Sequence, residues 1–232
     1  MTLHDRQNEP ASPRQGAGVV VRPGALRLFL ASRSPRRREM LRDAGYAFAF
    51  DHPGIEDSEL VPGAVPPDAW VASLAYLKAR AGLDRAEAGG QAAEVVLGAD
   101  TACILDGRLI GTPRNAAEAA DMIRAFQDRE HHVVSGIALI CTSTGRRMLG
   151  TDRARVWVGK IGEARIAEYI ASRMWEGKAG AYNLSERLAA GWPIRFEGDP
   201  STIMGLPMAR LASMLRAFAD APPVSDGAEG MR

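Results

Sequence analysis

From Leu28 to Leu41 the chain reads LFLASRSPRRREML: it starts apolar, turns through Ser32, Arg33, Ser34 and Pro35, then runs charged and apolar again. That order predicts a short buried strand feeding a helix. Pro35 suits the first helical turn, where a lacking N–H costs nothing and φ is already set. Ser34 falls at the N-cap, where its hydroxyl meets a backbone N–H or a ligand oxygen. Met40 and Leu41 point inward, and Gly45 is a natural stop. Tyr46–Phe50 reads as a short aromatic strand, and Asp68 as the start of a long helix with Trp70, Val71, Leu74, Leu77 and Ala81 inward. Glu94–Ala99 is a buried-strand pattern ending at Asp100 and Thr101. A hairpin follows, with Ala102–Leu105 and Arg108–Ile110 joined by Asp106-Gly107, a strong type I′ turn signal.

Further on, Asn115 with Glu118 makes a capping-box-like start for a helix burying Met122, Ile123 and Phe126. Val133–Cys141 is apolar on both faces and so reads as a central strand. Ser143–Arg146 turns the chain into a strand ending near Val158, and Gly162–Arg173 is amphipathic, with Ile166, Tyr169 and Ile170 on one side. After Gly205-Leu206-Pro207 a last helix buries Leu211, Met214, Leu215 and Phe218.

Composition narrows what this α/β pattern does. At 232 residues the chain can bury one sizeable core, or two lobes sharing one. A formal net charge of +1 gives no general attraction to nucleic acid or an anionic membrane, so any anion site is local. Cys103 and Cys141 both sit in apolar runs, which suits reduced core thiols. No apolar run reaches the length of a membrane span, and Val19–Val21 is too short for a signal-peptide core, so the chain reads as cytoplasmic. Residues 1–25 and 220–232 have the composition of flexible tails around a folded unit at 26–219.

The candidate chemistry gathers around anions. A strand running into a helix N-terminus converges free N–H groups and the positive dipole end, and Arg36, Arg37 and Arg38 crowd that same turn. The arrangement suits a phosphate chain; the plainer alternative is a solvated basic turn. Asp100 at the end of a buried strand is where open α/β sheets place ligand chemistry. Glu56 and Asp57 are adjacent loop carboxylates, either solvated or able to meet a divalent ion. Lys78 lies on the long helix, and Lys178 sits between two glycines in GKAGAY, a point charge where backbone can approach a ligand. His131 and His132 are adjacent on a strand and point to opposite faces, which argues against a metal pair.

Read together, LFLASRSPRRREML, LGADTACILDGRLIGTP (Leu97–Pro113), HHVVSG (His131–Gly136), GKAGAY (Gly177–Tyr182) and GDPSTIMGLP (Gly198–Pro207) resemble the Maf family of nucleoside triphosphate pyrophosphatases, in the family's order. The resemblance covers roughly residues 26–218 and implies a two-lobed, ITPase-like fold around an elongated mixed sheet with a central cleft. It implies Asp100 as proton acceptor, and Ser34, Arg36, Arg37, Lys78, Thr101 and Lys178 as substrate-binding residues. It also implies a divalent cation, Mg2+ or Mn2+, held by Asp100 and Asp57, and a possible homodimer. Arg36 and Thr101 match the branch that acts on dTTP and UTP, whereas Ser185 stands where that branch has glutamine, with Glu186 beside it. Thr112 replaces the family's lysine in Gly-Lys-Pro, and Arg114 is the candidate to restore that charge. The alternative function is a low-turnover nucleotide-binding regulator of cell division.

Overall fold

The computed structural model describes residues 26–55, 60–90 and 93–220. Within them β1 (Leu28–Ala31) is buried at every position and leads into α1 (Pro35–Asp43), as the apolar-to-charged order predicts. Ser34 is the N-cap, its hydroxyl accepting from the Arg37 amide at 3.4 Å. Gly45 follows the helix at a φ of 76°, the left-handed region that side chains disfavour. The aromatic strand lies later than predicted, with β2 spanning Phe48–Asp51.

The remaining strands are β3 (Val95–Leu105), β4 (Arg108–Ile110), β5 (Arg129–Cys141), β6 (Arg147–Val158) and β7 (Ile194–Glu197). All seven form one mixed sheet in the order β2-β1-β3-β5-β6-β7, with β4 paired to β3. Asp106 and Gly107 turn β3 into β4 at φ values of 51° and 76°, the two positive values that a type I′ turn requires. β5 is buried from Val133 to Ile140, the central strand its apolar run predicts.

β3 does not end at Asp100. It continues to Leu105 because β5 pairs with it without a break from Val95↔Cys141 to Ile104↔His132. On its other flank the pairing is interrupted: β1 stops at Ala31↔Gly98, and β4 begins at Cys103↔Ile110. Ala99–Ala102 therefore present one flank to no strand among the described residues. The polar Asp100-Thr101 pair marks the end of the neighbouring strand, not of its own.

A second difference concerns α2 (Pro67–Ala88), which starts one residue before Asp68 and buries Val71 and Leu74 as expected but not Leu77. Leu77 is 42% exposed, while Val71, Leu74, Ala75, Ala79, Gly82 and Ala86 are buried. The reason is close approach of backbones. A Cβ on Gly98 would lie 2.1 Å from the Ala75 carbonyl oxygen, and one on Gly136 2.7 Å from that of Val71. Small residues let the helix lie directly on the sheet, which leaves the bulky Leu77 outside.

The other helices are α3 (Ala116–Phe126), α4 (Glu163–Ala171), α5 (Leu184–Ala189), α6 (Pro200–Ile203) and α7 (Met208–Asp220), with a 3-10 turn at Ala179–Ala181. Asn115 caps α3 by accepting from the Glu118 amide at 2.9 Å. The Glu118 carboxylate accepts from the Arg114 amide instead of returning to Asn115, so only half of a capping box forms. α7 buries the four predicted residues, Leu211, Met214, Leu215 and Phe218.

Two of the hydrophobic clusters among the described residues occupy successive lengths of the sheet. One gathers Leu28, Leu41, Leu97, Ala99 and Leu139 with α7. The other gathers Cys103, Ile123, Phe126, Val133, Ile166 and Trp192. β3 contributes to both, so two lobes share one sheet, and Asp100 and Thr101 fall where one cluster gives way to the next. Both cysteines are free thiols, Cys103 buried and Cys141 partly so. No helix among the described residues is long and apolar enough to cross a membrane.

Candidate active site

The interrupted flank of β3 opens into a cleft of about 910 Å³, whose walls include the Ser32–Arg37 turn, Lys78, Asp100, Thr101, Thr112, Lys178 and Glu186. A volume of this size suits a nucleotide-sized ligand. Asp100 and Thr101 point to opposite faces of β3, yet both reach the cleft because no neighbouring strand covers that flank. Asp100 lies on the α2 side. Its Oδ1 accepts a charge-assisted hydrogen bond from Lys78 Nζ at 2.6 Å, with only 11% of the Asp100 side chain exposed. The close docking of α2 at Gly98 and Gly136 is what brings Lys78 there.

Thr101, on the other face, belongs to a hydrogen-bond relay. Arg37 Nη2 donates to Thr101 Oγ1 at 3.2 Å, Thr101 lies 2.7 Å from Ser135 Oγ, and Ser135 donates to the Thr202 carbonyl at 2.8 Å. Ser135 has one hydroxyl hydrogen and it goes to Thr202, so Thr101 is the donor to Ser135. Arg37 spreads its fork further: Nε donates to the Gly205 carbonyl at 2.8 Å, and Nη1 to the Ala99 carbonyl at 2.8 Å and to Ser32 Oγ at 3.2 Å. The Ala99 carbonyl is one that the interrupted sheet leaves without a strand partner, and the guanidinium takes that partner's place. Arg37 and Thr101 thus line the cleft as part of its frame.

Arg36 and Lys178 meet on one carboxylate. Glu186 accepts from Arg36 Nη2 at 3.1 Å and from Lys178 Nζ at 2.5 Å, linking α1 to α5 across the cleft. Burial alone would raise the Glu186 carboxyl's pKa, but the hydrogen bonds and charges of Lys178 and Arg36 hold it below the usual carboxylate range. The sequence places Glu186 beside a candidate site without giving it a role. Its one signal was its position three residues after the N-cap Asn183, whose Oδ1 accepts from the Glu186 amide at 3.0 Å.

The sequence matches the family model described as Maf-like protein over residues 27–218. The chain belongs to the Maf-like family. Among curated relatives, the dTTP/UTP pyrophosphatase of Pelotomaculum thermopropionicum is 37% identical over 191 residues, 82% of this chain and 96% of the relative. The dTTP/UTP pyrophosphatase of Ralstonia nicotianae is 38% identical over 196 residues, 83% of this chain and 94% of the relative.

The departures of this Maf-like chain from its family pattern can be placed. Thr112 lines the cleft. Arg114 is not among the described residues that line it: its side chain is 78% exposed and paired with Glu118 one helical turn away. Ser185 is exposed, donates to Asn183 Oδ1 at 2.8 Å and stands outside the cleft wall, whereas its neighbours Asn183 and Glu186 are in it. Glu56 and Asp57 lie outside the described residues. His131 and His132 do point to opposite faces, and His131 is buried against Phe126 with Nε2 2.9 Å from the Tyr182 hydroxyl. No group of three or more His, Cys, Asp or Glu side chains suited to a metal occurs among the described residues.

Proposed function

We propose that this Maf-like protein hydrolyses a nucleoside triphosphate between its α- and β-phosphates, releasing a nucleoside monophosphate and pyrophosphate. The observation that supports this best is Asp100, held by Lys78 at 2.6 Å at the opening of a cleft lined with cations. Positive groups there hold the triphosphate and offset the charge that spreads over it as the bond breaks. Lys78 takes Asp100 Oδ1, which leaves Oδ2 to accept the proton of the attacking water. The water oxygen bonds to the α-phosphorus, the bond from that phosphorus to the bridging oxygen breaks, and pyrophosphate departs with the bridging oxygen.

A single carboxylate ligand such as Asp100 fits the sparse protein donor set of a divalent cation that arrives on substrate phosphates. Asp100 would hold such a cation, Mg2+ or Mn2+, which supplies charge neutralisation at the phosphates when bound. The activity named for the relatives makes dTTP and UTP the first substrates to try.

The second reading, a nucleotide-binding regulator of cell division with little turnover, rests on Thr112, where a phosphate-binding cation is absent. Product analysis with dTTP and UTP in the presence of Mg2+ or Mn2+ separates the two. Equimolar monophosphate and pyrophosphate, lost on Asp100→Asn and on chelation, support the enzyme. Nucleotide retained without turnover supports the regulator.

A further inference from the structure

Among the described residues, five lysine and arginine side chains line the cleft: Arg33, Arg36, Arg37, Lys78 and Lys178. Four are already engaged. Arg36 and Lys178 share Glu186, Lys78 is on Asp100, and Arg37 is spread over the Gly205 and Ala99 carbonyls and two hydroxyls. Arg33 is different. It is exposed in the turn between β1 and α1, and makes no ion pair or hydrogen bond with any described residue. Two features then line the same cleft: a guanidinium at position 33 with no hydrogen-bond or ion-pair partner among the described residues, and a threonine at position 112, where the family resemblance implies a lysine.

We propose that Arg33 is a polyphosphate-binding residue of this cleft and supplies the charge that Thr112 does not. The inference rests on the pyrophosphatase reading for its substrate, and goes beyond it in naming a contact that the family pattern does not provide. A guanidinium presents a planar fork that takes two phosphate oxygens at once. Arg33 directly precedes Ser34, the N-cap of α1, so a phosphate it holds also lies near the positive end of that helix. The other cations each have an internal acceptor to exchange before they turn fully to a ligand. Arg33 has none among the described residues, and makes the first contact with the incoming anion.

The experiment combines Arg33→Ala, Arg33→Lys, Thr112→Lys and the double change Arg33→Ala/Thr112→Lys. It reads KM and kcat for dTTP and, independently of turnover, the calorimetric affinity for inorganic tripolyphosphate. Arg33→Ala is expected to weaken tripolyphosphate and raise KM about tenfold with kcat nearly unchanged, because a phosphate contact shared by ground and transition states acts on KM. Arg33→Lys keeps most of the affinity. Thr112→Lys improves affinity more in the Arg33→Ala background than in the native one, since two groups that supply the same charge are not additive. Arg33 is exposed and makes no hydrogen bond or ion pair with any described residue, so its variants are expected to fold as the native chain does, which the thermal melt checks. Tripolyphosphate affinity unchanged by Arg33→Ala overturns the proposal, as does an identical gain from Thr112→Lys in both backgrounds. Tripolyphosphate binding that depends on Arg33, with no pyrophosphate released by the native chain, overturns the proposed function alone.

Discussion

Asp100 and Glu186 are both carboxylates of the cleft with cationic partners, and their removal has opposite consequences. Asp100→Asn keeps the shape and the contact with Lys78 but cannot accept a proton. Turnover should fall by about two orders of magnitude or more, the usual scale for a general base, while the thermal melt stays close to native. Glu186 instead pairs with Arg36 and Lys178, and on the proposed function it would compete with substrate for them. Glu186→Gln should therefore lower KM for the triphosphate without raising kcat, as steady-state kinetics will show. The same variant has a pH signature. The native carboxyl lies below its usual range, so its stabilising pairs persist above that range and are lost as pH falls through the lowered value. Urea unfolding of Glu186→Gln should lack that component, and the two proteins should converge in acid. The place of Asp100, Ser34 and Lys78 in the cleft was legible in the sequence because a local pattern or a family motif points to each. Glu186 was not, because its role depends on Arg36, which stands 150 positions away.

At the scale of elements, α2 is fixed by what it lacks. Adding a methyl at Gly98 places carbon 2.1 Å from the Ala75 carbonyl oxygen, so the helix must lift from the sheet. Gly98→Ala should destabilise the fold by about 3 kcal/mol, at the upper end of ordinary overpacking, as measured by urea denaturation. Any folded fraction should also lose turnover, since α2 is what delivers Lys78 to Asp100. The sequence predicted this helix and the burial of Val71 and Leu74 but misplaced Leu77, because periodicity ranks positions by apolar size. Here alanine and glycine make the contact, and Leu77 is left in solvent. β3 misled for a related reason. Two polar residues look like a strand end, but strand length is decided by the partner, and β5 runs past them without interruption. The turns were easier, since Asp106-Gly107 and Pro35 state their backbone angles locally.

For the molecule as a whole, acid stability should bear the mark of His131. Burial first, and neighbouring His132 second, push its pKa from 6.5 down to about 3. The unfolded chain binds this proton below its ordinary pKa and the native state does not, so stability falls as pH drops from 6.5 towards 3 and is insensitive above it. The slope is about 1.4 kcal/mol per pH unit. His131→Phe should flatten it, which paired urea titrations at neutral pH and pH 5 will reveal as a smaller loss in the variant. The mixed α/β class and the central β5 were legible from apolar runs, whereas the break between β1 and β4 depends on strand registers that no local pattern encodes. That break has a consequence for how the protein wears out. A reactive group on a loop can drift while the rest of the fold survives, and such enzymes lose function before they melt. Asp100 instead belongs to the longest uninterrupted ladder of the β3 pairings, opposite Gly136 in β5, and cannot leave its place unless that ladder opens. Heat inactivation and global unfolding should then coincide, with no temperature interval in which an intact but idle protein accumulates.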